Sequence, residues 1–177
     1  MNIYGLIKKD HRKVTRLLES LVQSSEQDDN KWKEILNQIR NELVPHSRAE
    51  EALFYNAIRN KSNGNTTVVH AYGEHAVAEA ELRTLQAMKA IDVNWTTLAK
   101  KLQGDILHHI KEEEEKVFNE AKLLLTEEEA ISIGKSFKEL KPKIKAESLA
   151  ETTLELVTNL LPPKFVESIK EGYAKIG

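Results

Sequence analysis

A chain of 177 residues, 40% of them apolar, is long enough for one domain with a proper core. Its 26 basic and 28 acidic residues are interspersed, so no basic face advertises phosphate binding and nucleic acid is not an expected partner. With no cysteine, disulfides, iron–sulfur clusters and thiolate zinc sites are excluded, and any metal must be held by nitrogen and oxygen.

Only 7 Gly and 4 Pro interrupt a sequence rich in Leu, Glu, Lys and Ala, so an all-α fold is expected. Apolar spacing predicts a first helix from about Ile3 to Val22, with the stripe Ile7, His11, Val14, Leu18, Leu21. The polar run Ser24 to Asn30 reads as a loop. From Lys31 a second stripe runs through Leu36, Ile39, Leu43, His46, Glu50, Leu53, Ala57. Pro45 lies inside it, predicting a kink or a restart just before His46. Asn60 to Asn65, with Gly64, is a loop signal, and Thr66 or Thr67 can cap the next helix. The third stripe is Val68, Ala71, His75, Ala78, Leu82, Leu85. After a turn near Asp92 to Asn94, the fourth is Trp95, Leu98, Leu102, Ile106, His109, Glu113, Val117, Ala121, Leu124. Thr126 with Glu129 forms a capping box opening a fifth helix, which cannot run smoothly past Pro142.

Residues 1–142 thus read as a four-helix bundle plus capping helix, and 143–177 as a helical C-terminal extension. The extension is amphipathic around Leu149 to Leu161, breaks at Pro162-Pro163 and ends with Phe165, Ile169, Tyr173 and Ile176 on one side. Its apolar positions suit either the end of the bundle or a subunit contact, so monomer and homodimer both remain open. The N-terminus lacks the apolar run of a signal peptide, and no segment approaches the ~20 apolar residues of a membrane span. A soluble, cytoplasmic protein is expected.

Five of the six histidines have a glutamate four residues later, and roughly one such match is expected by chance at this glutamate content. Helical phase separates them. His46 with Glu50 and His109 with Glu113 share the apolar stripe, so both members of each pair point into the bundle. His108 with Glu112 falls on the face of Lys101, Asp105 and Glu115, and His70 with Glu74 tracks Thr67 and Glu81; both pairs read as solvated. In the run Glu112 to Glu115 only Glu113 has an inward phase, and Trp32 and Trp95 read as packing. An ionised carboxylate in a bundle core costs several kcal/mol unless paired, and no Lys or Arg occupies the central slots. Metal ions would supply the missing charge, and imidazole with carboxylate suits iron, manganese or zinc. His11, His46, His75 and His109 divided between two metals, with Glu50 and Glu113 bridging, give each ion four protein ligands and leave positions open.

These residues carry a family resemblance. Lys9-Asp10-His11, Pro45-His46-Ser47-Arg48-Ala49-Glu50-Glu51 followed by Leu53-Phe54-Tyr55, Glu74-His75, and His108-His109-Ile110-Lys111-Glu112-Glu113-Glu114 resemble, in order and separation, hemerythrin-like proteins of the HHE cation-binding type. The resemblance spans Met1 to about Leu140. It implies an up-down four-helix bundle around a carboxylate-bridged di-iron centre, with His11, His46, Glu50, His75, His109 and Glu113 in the metal-binding roles. Oxygen-carrying hemerythrins have a second histidine one turn before the third-helix histidine, where this chain has Ala71, so an oxygen carrier is not implied. Glu79, a turn after His75, is a candidate replacement oxygen ligand, with a surface role as the other reading. The Glu-x-x-His motif of ferritin-like bundles is absent.

The expected function is a non-haem di-iron protein that binds, senses or reacts with oxygen, peroxide or nitric oxide, or senses iron. No separate catalytic base or nucleophile is evident. The alternatives are a peroxide-consuming di-iron enzyme and a metal-free helical interaction module.

Overall fold

Each predicted stripe forms a helix, and the described residues of the computed structural model are 1–24, 31–62, 66–89 and 91–144. The polar run after Ser24 and the helices expected in the C-terminal extension lie outside them. Helix α1 is Ile3–Ser24. Helix α2 is α-helical over Lys31–Glu50, π-helical over Glu51–Tyr55 and α-helical again over Asn56–Lys61. Helix α3 is Thr66–Ala87. Helix α4 repeats the pattern of α2, with Val93–Glu112, a π-helical turn at Glu113–Val117, and Phe118–Leu124. Helix α5, Glu127–Leu140, continues as a 3₁₀ turn over Lys141–Lys143. No strand occurs among the described residues.

Local chemistry sets the ends. Asp92 caps α4 by accepting a 2.8 Å hydrogen bond from the Trp95 amide. Thr126 and Glu129 form the expected capping box on α5, and α5 tightens into 3₁₀ geometry at Pro142. At Pro45 the helix continues rather than restarting. The carbonyl deprived of its donor belongs to Asn41, an exposed residue where water can serve it. Asn60 and Lys61 extend α2 beyond the expected loop boundary, and the cap expected of Thr66 or Thr67 adjoins residues 63–65, outside the described ones.

Helices α1 to α4 pack in cyclic order, each against its neighbours in sequence, and α4 closes on α1; α5 lies across α1 and the middle of α2. Gly134 of α5 makes the close approach possible. A Cβ there would stand 2.9 Å from the backbone of Asn2 and Ile3. Inside, the core splits into two apolar bodies. One gathers Trp32, Leu36, Leu82, Trp95 and Leu102, with the two indoles edge to face at 5.4 Å. The other gathers Ile3, Ile7, Phe54, Phe118 and Phe137. Between them lies a layer of buried polar side chains contributed by all four bundle helices.

Candidate metal centre

The polar layer consists of His11 on α1, His46 and Glu50 on α2, His75 on α3, and His109 and Glu113 on α4, all buried. The six residues singled out in the sequence therefore converge. Both π-helical turns begin at or just after the glutamates, at Glu51 and at Glu113. Each inserts an extra residue into the turn and resets the helical phase of the residues beyond it. Phe54, Tyr55 and Ile58 are buried as a result, beyond the Leu53 and Ala57 of the straight-helix stripe.

The histidines form two couples. His75 Nε2 and His109 Nε2 are 3.1 Å apart, and the His11 and His46 rings meet edge to face with centroids 5.2 Å apart. The carboxylates lie between the couples. Glu50 Oε2 is 3.6 Å from His46 Nε2 and 3.5 Å from His75 Nε2. Glu113 Oε2 is 3.1 Å from His11 Nε2 and 3.9 Å from His109 Nε2. Each glutamate thus faces one histidine of each couple, which is the placement a bridging carboxylate needs.

A second layer of carboxylates orients the rings, and it runs round the bundle in one direction. Asp10 of α1 accepts from His46 Nδ1 at 3.2 Å on α2. Glu51 of α2 accepts from His75 Nδ1 at 2.9 Å on α3. Glu74 of α3 accepts from His109 Nδ1 at 2.9 Å on α4, and Glu114 of α4 accepts from His11 Nδ1 at 3.0 Å on α1. Because an ionised carboxylate only accepts, each Nδ1 must donate, and each Nε2 is turned inward as the potential ligand atom. These four acids sit next to the predicted site residues in the chain, yet sequence phase assigns Glu74 and Glu114 to solvated faces. The signal that marks them is the acid adjacent to each inward residue: Asp10-His11, Glu50-Glu51, Glu74-His75, Glu113-Glu114.

The charges are strongly perturbed. Burial, reinforced by the charge of Glu113, pushes the Glu50 carboxyl well above its usual range. Burial opposes ionisation of Glu113 too, but His11 and Glu50 beside it win and hold it far below that range. Against burial, the carboxylates of Glu113 and Glu114 push His11 up to about 9, whereas burial pushes His46 down to about 4. Burial likewise lowers His75. The cationic side chains of this region serve the outer carboxylates: Lys8 meets Glu114 at 3.0 Å, Lys141 meets Asp10 at 2.8 Å and Arg48 meets Glu51 at 3.7 Å.

Whether this donor set suits a cation can be judged from its unmet hydrogen bonds. His11 Nε2, His46 Nε2 and all four oxygens of Glu50 and Glu113 are buried without a hydrogen-bond partner. An unsatisfied buried group costs ~1–3 kcal/mol, and among these atoms only His11 Nε2 and Glu113 Oε2, 3.1 Å apart, offset part of that between themselves. Inward nitrogen and oxygen donors of this kind fit iron, manganese or zinc. The ligand atoms of His11, His109 and Glu113, and those of Glu50, His75 and His109, each cluster within 4.8 Å.

Three further positions named from the sequence fall outside the layer's donor set. Ala71, buried a turn before His75, offers only a methyl group there. Glu79 is held by Arg48 at 2.8 Å and Arg83 at 2.6 Å, which gives it the surface role rather than that of a replacement ligand. His70 is exposed. Tyr55 is an addition: its ring stacks on His75 at 5.6 Å, and its buried hydroxyl has no hydrogen-bond partner. Burial and the nearby charges of Glu113 and Glu50 raise that hydroxyl's pKa well above the phenol value.

Comparison with known proteins bears on the family and the fold. The family model described as Hemerythrin HHE cation binding domain matches residues 2–121. A protein of Nostoc sp. named DNA nickase is 28% identical over 144 residues, covering 81% of this chain but 40% of its own length. An uncharacterised hemerythrin-like protein of Schizosaccharomyces pombe is 28% identical over 142 residues, covering 78% of this chain and 68% of its own. Among solved structures, a hemerythrin HHE cation-binding domain-containing protein from Mycobacterium kansasii superposes with a TM-score of 0.69 at 17% identity, covering 95% of this chain and 99% of that one. That likeness establishes the hemerythrin-like bundle.

Proposed function

Because the chain belongs to the hemerythrin HHE cation-binding family, we propose that its polar layer holds two iron ions and that the loaded protein binds, senses or reacts with a small oxidant: oxygen, hydrogen peroxide or nitric oxide. His11, His46, His75 and His109 would be divided between the two ions, with Glu50 and Glu113 shared. The observation that carries this reading is the position of each glutamate between the two histidine couples. Iron, when bound, supplies open coordination positions and a change of charge that anionic carboxylates accommodate. The chain's own contribution is orientation and exclusion of water. The outer carboxylates fix each ring by its Nδ1, and the apolar bodies above and below close the layer.

Two surface hollows among the described residues offer small molecules an approach to the layer. A surface hollow of about 390 Å³ between α2 and α3 is lined by His75, Glu51, Arg48 and Tyr72. Another of about 390 Å³ between α1 and α4 is lined by His11, Glu114 and Arg12. No described helix is long and apolar enough to cross a membrane. We read residues 1–142 as the iron-binding unit and 143–177 as an appended segment; deleting the latter is expected to leave metal content unchanged, and its loss would reject that division.

The test is metal content after anaerobic reconstitution with ferrous iron, followed by optical spectroscopy on adding air or peroxide. Close to two irons per chain, lost in Glu50→Ala, with a spectral change on oxidant addition, is the expected result. No bound metal would sink the whole reading and favour a metal-free interaction module. Bound iron with no spectral change would retain the site and remove the oxidant.

A further inference from the structure

Outward from the buried layer, α3 and α4 carry two more histidines, and the proposed iron centre uses neither. His70 Nε2 lies 3.4 Å from Glu74 Oε1 on its own helix and 3.9 Å from Glu112 Oε2 on the other. His108 Nε2 lies 3.9 Å from Glu74 Oε1 and 3.9 Å from Glu112 Oε1. A solvated His–Glu pair at four-residue spacing accounts for one contact per histidine. It does not account for the crossing, in which each imidazole also approaches the carboxylate of the opposite helix. Nor is Glu74 free to wander. Its Oε2 is held by His109 Nδ1 at 2.9 Å, which leaves Oε1 directed at His70 and His108.

Geometry and chemistry agree on an occupant. Four ligands at ~2.0–2.1 Å in a tetrahedron stand about 3.3 Å from one another. The contacts of 3.4 to 3.9 Å here exceed that by up to about 0.6 Å. His70, Glu74 and Glu112 each offer a ligand atom within 4.8 Å of the others, and His108 stands outside that trio, on the other oxygen of Glu112. Both imidazoles are mostly exposed, at 63% and 62%, so each can rotate toward a shared ion, His108 the further of the two. Lys116 contacts Glu112 Oε1 from a side chain that is 60% exposed, and its ammonium can return to water when another cation takes that oxygen.

We propose that His70, Glu74, His108 and Glu112 form a second cation site on the surface of α3 and α4, of the two-nitrogen, two-oxygen type that takes a divalent first-row metal such as zinc or cobalt. The site is joined to the buried centre through Glu74, which gives one oxygen to the outer cation and the other to the ring of His109. Two loaded sites therefore compete for the charge of one carboxylate, and by linkage each weakens the other equally.

The test compares the full chain with the double variant His70→Ala/His108→Ala, which removes only exposed side chains and leaves Glu74 in place. Titration with cobalt(II), read by stoichiometry and by the intense visible absorption of tetrahedral cobalt, is expected to show one more equivalent in the unaltered chain. Equal stoichiometry in the two proteins, with matching thermal melts, would overturn the proposal. Repeating the comparison in a Glu50→Ala/Glu113→Ala background isolates it from the buried centre: the one-equivalent difference should persist there, and its disappearance would mean that no separate outer site exists. In zinc titrations, His108→Ala alone should weaken binding at least about tenfold.

Discussion

His108 with Glu112 and His109 with Glu113 have the same spacing on the same helix, offset by one residue, and meet opposite environments. The second pair is buried in the polar layer, while His108 is exposed and its glutamate half-buried. Water can satisfy the outer pair at little cost, so the fold does not require a cation there. The inner pair is buried from solvent, and both oxygens of Glu113 lack a hydrogen-bond partner. Burial, rather than residue type or spacing, turns a His–Glu pair into a strong demand for positive charge.

Four comparisons sharpen that contrast. The largest effect is expected at Glu50. Glu50→Ala should abolish iron retention, while Glu112→Ala should leave the buried iron intact; equal losses, measured as metal per chain after gel filtration, would erase the distinction between the layers. Next come the adjacent acids Glu114 and Glu115. Glu114→Gln removes the charge that orients His11 and should weaken iron binding ~10–100-fold. Glu115→Gln, at an exposed position, should change it little. Competition with a chromophoric chelator would read both.

The tyrosines give a smaller, opposite pair of effects in metal-free protein. The Tyr55 hydroxyl is buried beside the Glu50 and Glu113 carboxylates but makes no hydrogen bond of normal geometry to either, so Tyr55→Phe should raise stability by about 1 kcal/mol. Tyr72 donates a 3.1 Å hydrogen bond to the Glu51 carbonyl, and Tyr72→Phe should lower stability by about 1 kcal/mol. Urea midpoints decide the sign, and a loss in both variants would show that the Tyr55 hydroxyl has a partner in solution.

The smallest effect belongs to the rim. Burial opposes ionisation of Glu42, but Lys13 and Lys141 hold its carboxyl below the usual value. A carboxyl depressed in the folded state stabilises the fold above its unfolded pKa, and that contribution is lost as pH falls through the folded value. Glu42→Gln should therefore cost up to about 1 kcal/mol near neutrality. Below the folded pKa it should cost nothing, and a difference from the unaltered chain that is unchanged at low pH would assign the loss to shape rather than charge.

Much of this architecture is legible in the sequence. Apolar periodicity locates the helices because a bundle buries one face of each, and the capping box at Thr126 is readable because it is made entirely by local bonds. The six inward residues are legible for the same reason as the core: they share its phase. Two local readings are altered by tertiary packing. Of the kink or restart expected at Pro45, the restart does not occur, since residues buried on both sides of the position keep α2 continuous. The smooth phase expected through Glu50 and Glu113 is interrupted by π-helical turns, which bring Tyr55 against His75.

The sequence alone thus determined an all-helical chain with His11, His46, Glu50, His75, His109 and Glu113 at core-facing positions, because helical phase is a property of one segment at a time. Only the tertiary structure decided the ring of Asp10, Glu51, Glu74 and Glu114, in which every acid serves a histidine on the next helix round the bundle. Such contacts depend on how neighbouring helices are placed and rotated. That placement comes from side-chain packing across the whole core, which no single segment contains.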